Sequence, residues 1–246
     1  MTKHTNSLKK YILILLLAAA FNQAKAQNSL NYASLGIGVS ASLNKPNADL
    51  KNEYQNKSYA LTFNYYYTPY VPVGLEFQFG KLSGGGNTVA EDKDTRRYSN
   101  DYKALILHLD AQLGEFVDYE RNAFLNVVKN FYAGIGVGGI YNNVNRNEYS
   151  LLDPTYKFPG QNTSLNLIVP LRVGYEFKFY NEYGQPNVRL DIGYQHNITF
   201  GEGLDGYDDP STKFKNNAPD QYRQITVGLK VNFGGQSTYD KDIKGY

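Results

Sequence analysis

The segment Thr226-Val227-Gly228-Leu229-Lys230-Val231-Asn232-Phe233 alternates between large apolar residues and small, polar or charged ones. Successive side chains of a strand point to opposite faces, so this ribbon has one oily side and one wet side. Working outward, seven further segments share the pattern, near 31–43, 58–67, 72–81, 102–113, 131–143, 164–179 and 187–200, with the quoted strand spanning 222–233. Eight such strands predict an all-β chain folded as an eight-stranded, antiparallel, up-and-down barrel.

The volume of the apolar face decides which way it points. Tyr59, Leu61, Phe63, Tyr65 and Tyr67 share one face of the second strand, and Leu165, Leu167, Val169, Leu171, Val173, Tyr175 and Phe177 one face of the sixth. Summed over all strands there are roughly 40 such large side chains, whereas an eight-stranded barrel is just filled by side chains. They do not fit inside. The opposite face carries Ser34, Gly36, Gly38, Ser40, Thr62, Asn64, Gly134, Gly136 and Gly138, which do. The oily face therefore looks outward to lipid, and the sheet must close because a free edge has no partners in hydrocarbon. A soluble, ligand-carrying barrel is the rival fold.

The connections alternate as well. Residues 44–57, 82–101, 144–163 and 201–221 are long and polar, while 68–71, 114–130 and 180–186 are mostly shorter. That is the pattern of long extracellular loops and periplasmic turns. Aromatic residues gather at the turn end (Tyr65, Tyr66, Tyr67, Tyr70, Phe131, Tyr132, Phe177, Phe179 and Tyr180) and predict an interfacial belt. Pro170 demands a bulge or interrupted pairing in the sixth strand. Phe124, Leu125, Val127 and Val128 suggest a short surface helix in 114–130, or else a shifted strand boundary.

Lys9 and Lys10, the apolar run Tyr11 to Phe21, and Ala24-Lys25-Ala26 form the charged, apolar and small-residue order of a cleaved export signal, 1–26. Its apolar run is too short to span a bilayer as a helix, which takes ~20 residues. Cleavage after Ala26 leaves Gln27 first, with no cysteine to carry a lipid or a disulfide. The signal holds four of the 25 Lys and Arg and none of the 23 Asp and Glu, so the nominal +2 becomes 21 against 23, or −2. No basic footprint for nucleic acid remains. Mean hydropathy of −0.50, with no second long apolar run, excludes helical spans.

The chain resembles the small outer-membrane β-barrel family, which includes OmpX-like proteins and the barrel domain of OmpA. The likeness covers most of 31–233 and lies in the pattern, with the last strand as its most specific part. Thr226, Gly228, Val231 and Phe233 fill the polar, glycine, hydrophobic and terminal aromatic positions of the family's assembly signal. The resemblance implies that barrel-assembly machinery reads this strand and that the protein sits in the outer membrane of a Gram-negative cell, in contact with its lipid. The chain departs from the family in its tail, Gly234 to Tyr246, and in having no peptidoglycan-binding domain after the barrel. The domains expected are the signal, a barrel over 27–233 and a flexible periplasmic tail over 234–246, too short to fold alone and available to an envelope partner.

The wet face carries Glu76, His108, Asp110, Arg172, Glu176, Arg189, Asp191 and Lys230. Charges in a narrow barrel are costly unless paired, so these predict ion pairs that plug the lumen; a charge-lined channel is the alternative. His108 and Asp110 share a face but have no serine placed beside them by sequence, and His196 stands alone on the outer face, so no catalytic set emerges. A lipid-modifying enzyme is the least favoured reading.

Gly134-Ile135-Gly136-Val137-Gly138-Gly139 lacks the strand-to-helix context of a dinucleotide loop; its glycines make room for long lumen side chains. Gly84-Gly85-Gly86 reads as a flexible loop tip. Asp205, Asp208, Asp209 and Asp220 do not have the spacing of a calcium loop and read as a solvated acidic segment. No metal or cofactor is expected. The sequence thus predicts a non-enzymatic outer-membrane barrel acting through loop or tail contacts: adhesion, envelope integrity, or an accessory role in an envelope complex.

Overall fold

A computed structural model describes residues 29–48, 50–120, 122–208, 210 and 220–241; the export signal, Asp209 and 242–246 lie outside them. Eight long strands follow the predicted order: β1 (Ser29–Asn47), β2 (Asn56–Thr68), β3 (Val71–Gly85), β4 (Arg97–Gln112), β5 (Phe131–Arg146), β6 (Thr163–Tyr180), β7 (Pro186–Phe200) and β8 (Gln221–Asp240). Each pairs antiparallel with its sequence neighbours, and β1 pairs with β8 through Leu35↔Phe233, Val39↔Leu229 and Leu43↔Ile225, closing the ring. A two-residue strand, Glu53–Tyr54, adds to the loop end of β3.

The oily face is on the outside. Val39, Phe63, Leu105 and Val227 are each half-exposed or more, while Thr62, Asn64, Glu76, His108 and Lys230 on the alternate face are buried in the lumen. The volume argument therefore holds, and with it the transmembrane reading.

The strands run 13 to 20 residues, whereas a tilted strand crosses a bilayer in roughly 9–11. They continue past the oily band at the loop end, where the outward positions are polar and the oily face no longer marks a strand. The loops are correspondingly shorter than predicted: 86–96 in place of 82–101, and 147–162 in place of 144–163. Gly84-Gly85-Gly86 is consequently no loop tip. Gly84 and Gly85 end β3, all three are buried, and a Cβ on Gly85, where φ is +75°, would lie 1.9 Å from the Arg96 carbonyl oxygen.

β8 also differs from prediction. It does not stop at Phe233 but bulges at Gly234, with φ +94°, and pairs on to Asp240 against Ser29–Ala33 of β1. The extra residue reverses the faces, so Tyr239 packs edge-on to Tyr70 at 6.0 Å. Lys241 donates to the carbonyls of Gly114 and Val117. The first eight residues of the expected flexible tail are thus held by backbone pairing and by this lysine.

The periplasmic connection after β4 contains a 3₁₀ turn, Leu113–Glu115, and the predicted short helix, α1 (Ala123–Val128), capped by the Asn122 side chain accepting from the Leu125 N–H at 2.8 Å. Pro170 interrupts the ladder as expected: pairing of β6 with β5 stops at Leu171↔Ile135 and resumes at Ile168↔Gly138 in the same register. The aromatic belt is only partly outward. Tyr65, Tyr67, Phe131 and Phe179 are exposed, but Tyr66, Tyr70 and Tyr132 are buried, because consecutive residues of one cluster must face opposite ways.

Candidate functional site

The lumen gathers buried charge of both signs from several strands, and it is filled in two layers. In the periplasmic half, β3, β4 and β6 place Glu76, Asp110 and Arg172 on inward positions. Arg172 Nε lies 3.1 Å from Asp110 Oδ1, its Nη1 lies 3.1 Å from Glu76 Oε2, and the same nitrogen donates to Gln195 Oε1 at 2.8 Å. His108 Nδ1 lies 3.1 Å from Asp110 Oδ2. Beside this group, Glu176 receives Arg189 Nη1 at 2.7 Å and Lys230 Nζ at 3.1 Å, and Lys230 also reaches Asp191 Oδ2 at 2.7 Å. The Tyr132 hydroxyl donates to Asp191 Oδ1 at 2.9 Å. All eight predicted lumen residues are thus buried and joined in two adjoining clusters.

Sequence reasoning missed one member. Lys178 donates to Gln112 Oε1 at 2.6 Å and to the Pro69 carbonyl at 2.9 Å, and stands over the Tyr70 ring at 4.1 Å. It has the parity of Arg172 and Glu176 on β6, which was the available signal. The ion pairs join Arg172, Arg189 and Lys230 to the four carboxylates Glu76, Asp110, Glu176 and Asp191, while Lys178 is held by neutral acceptors. Such pairing is what a low-dielectric interior requires, since an unpaired charge there costs several kcal/mol. Tyr66 adds a face for the Arg189 guanidinium, 3.9 Å from its ring centre.

Glycines make the space, as predicted. A Cβ on Gly74 would lie 2.3 Å from His108 Nε2, and one on Gly134 2.0 Å from Asp110 Oδ1. Gly136 faces the Pro170 ring, at 2.9 Å for an added Cβ. The run 134–139 is strand throughout, with no turn into a helix.

The loop half of the lumen holds an apolar cluster, which the sequence reading did not anticipate, beside the buried, hydrogen-bonded amides of Asn100, Asn142 and Gln224. Leu82, Tyr98, Ile106, Ile140 and Ile168 point inward and pack with Leu50, Phe158, Leu204 and Tyr207 from the loops. Tyr207 crosses Phe158 edge-on at 5.4 Å, lies under the Arg146 guanidinium at 5.1 Å, and donates to the Arg97 carbonyl at 3.0 Å. The last loop is not simply solvated acid. Asp205 and Asp220 are buried and accept from the backbone N–H groups of Tyr207 and Leu204, at 2.9 and 2.8 Å; Asp208 is exposed. Among the described residues no His, Cys, Asp and Glu group has metal-binding geometry.

His196 lies on the outer face, as expected, with Nε2 2.9 Å from Gln221 Oε1. Thr226 and Gly228 of the terminal strand face the lumen side and Val231 and Phe233 face lipid, the Thr226 hydroxyl lying 2.7 Å from that of Ser42. Between the ion clusters and the wall remains a polar cavity beside Ser40, Ser42, Glu76 and Gln224, whose space for the centre of a water molecule is about 20 Å³. That is room for little more than one water.

An up-and-down barrel with an oily exterior and a charged, paired interior defines a transmembrane β-barrel of the outer membrane. The chain belongs to the family described as the outer membrane protein beta-barrel domain, whose profile matches residues 12–233. Its place is accordingly the outer membrane of a Gram-negative cell. Among solved structures it is similar to Neisserial surface protein A (15% identity; 82% of this chain and 98% of that one; TM-score 0.42). It is also similar to Ail, the attachment invasion locus protein of Yersinia pestis (10%; 82% and 99%; TM-score 0.43). A third is OprG of Pseudomonas aeruginosa (12%; 85% and 100%; TM-score 0.36). No curated protein sequence matches the chain.

Proposed function

We propose that the barrel is a sealed, non-enzymatic anchor that acts through contacts of its loops and tail, in adhesion, envelope integrity or an accessory role in an envelope complex. The observation that carries this reading is the filling of the lumen: paired ion clusters below and an apolar cluster, closed by Phe158, Leu204 and Tyr207, above. A conducting path requires a wetted bore, and eight strands leave little once side chains of this size point inward. The loops, held on a rigid frame, are where partner contacts reside in such folds. Thr226, Gly228, Val231 and Phe233 serve in this reading as the segment recognised by the assembly machinery.

Planar-bilayer recording of the purified protein tests the seal. A silent bilayer is the expected result; steady openings altered by Arg172→Ala or Glu76→Ala would establish a channel instead. Lipid A mass spectra identical with and without the protein are expected of a barrel that performs no lipid chemistry. Crosslinking in intact envelopes followed by a pull-down identifies the partner.

A further inference from the structure

On five adjacent strands the first outward residue beyond the oily band, at the loop end, is a cation. Lys45 follows Leu43 on β1, Lys57 precedes Tyr59 on β2, Lys81 follows Phe79 on β3, Lys103 precedes Leu105 on β4, and Arg223 precedes Ile225 on β8. The register sets them side by side: Lys45 pairs with Arg223, Leu43 with Lys57, and Phe79 with Lys103. One outward carboxylate enters this row, Asp101, 3.4 Å from Lys81 and exposed like it. At the two ends of the row the register sets Tyr141 of β5 beside Lys103 and the outward His196 of β7 beside Arg223. Among the described residues no strand has an outward Lys or Arg at the opposite, periplasmic edge of the band. Snorkelling alone would populate both edges, since an aliphatic stem serves either interface equally.

A groove opens on the lipid face directly below this row. Gly139 faces outward, where its missing side chain leaves open space (the nearest atom to an added Cβ is Leu165 Cδ1 at 3.7 Å). Phe77, Leu107, Val137 and Leu165 wall it, Lys103 sits at its rim, and its volume is about 500 Å³. An apolar trough of this size, topped by a cation, matches an amphiphile with an anionic head.

We infer that the β3–β5 face binds a phosphorylated, acylated lipid of the outer leaflet, with a phosphate at Lys81 and Lys103 and an acyl chain along the Gly139 groove. Charge complementarity fixes the class: Asp101 offsets one of the five cations, a zwitterionic head leaves the excess of four uncompensated, and each cation near an anionic surface contributes about a fivefold gain in affinity.

The test is native mass spectrometry of the full-length mature barrel in detergent, offered diphosphoryl lipid A, the same lipid with its phosphates removed, or phosphatidylethanolamine. Retention of diphosphoryl lipid A over both others is expected, falling about 25-fold in Lys81→Gln/Lys103→Gln at fivefold per cation. Gly139→Leu, which fills the trough without touching a charge, should weaken lipid with and without phosphate alike. Both variants alter outward side chains, and heat-modifiable gel mobility verifies that they fold. Equal retention of the dephosphorylated lipid, or wild-type retention by both variants, would overturn the inference. So would a dimer abolished by Gly139→Leu, which would assign the trough to a second copy of this chain.

Discussion

Arg172→Met isolates what the buried ion pairs contribute. The guanidinium contacts Asp110 and Glu76 at 3.1 Å each and Gln195 at 2.8 Å, all three partners buried. Methionine preserves the volume of the stem but leaves two carboxylates facing each other across an apolar gap. Removing one member of a buried pair costs about 3–5 kcal/mol, and proton uptake by a carboxylate limits the loss to that range. With a urea dependence of about 2 kcal/mol per molar, the unfolding midpoint should fall by about 1.5–2.5 M. The assay is urea unfolding of protein refolded into vesicles, followed by circular dichroism, since the chain has no tryptophan. Arg172→Met/Glu76→Gln/Asp110→Asn removes the uncompensated charge and should return to within about 1 kcal/mol of wild type. A midpoint shift below about 0.5 M for the single variant, or no recovery in the triple one, would refute the reasoning.

Gly134→Val should destabilise by about 1–3 kcal/mol because its Cβ meets the Asp110 carboxylate at 2.0 Å, whereas Gly139→Val, facing open space, should be neutral in the same unfolding assay. Phe233→Ala should lower the inserted fraction in whole cells, and normal insertion would show the terminal signal misread. Deleting residues from Gly235 onward should leave insertion intact but raise hydrogen exchange of Ser29–Ala33 and of 113–117, which lose their β8 and Lys241 partners. Burial lowers the Lys129 ammonium to about 8, opposed by the charge of Glu120. Because this lies below the ordinary value of 10.5, the periplasmic connection should gain stability as pH rises from about 8 to 10.5. A ¹³C titration of Lys129 with its midpoint near 10.5 would contradict this.

The oily face was legible because lipid imposes one demand on every strand, so Leu105, Leu107 and Leu109 or Val227, Leu229 and Val231 repeat the same message. The eight predicted lumen residues followed from parity on those strands. The ends were less legible for a physical reason. Above the band, β3 and β4 pair in water, where Lys81↔Asp101 and Ser83↔Ser99 give no apolar signal. Ile106, Ile140 and Ile168 are interior because their parity is that of the wet face, but what they pack against, Phe158, Leu204 and Tyr207, comes from loops whose folding back leaves no periodic signal. The tail was misjudged because the apolar alternation ends at Phe233, while a bulge at Gly234 reverses the faces and lets pairing continue.

Depth-resolved spin labelling tests the orientation of the strands most directly, and the chain has no cysteine to remove first. Single cysteines carrying a nitroxide at Leu105, Leu107, Val227 and Leu229 should collide with oxygen far more than with a water-soluble nickel chelate, whereas labels at Ala104 and Thr226 should be shielded from both. Labels at the four apolar positions that meet the chelate freely, or that are shielded while Ala104 and Thr226 meet oxygen, would contradict a barrel with its oily face in lipid.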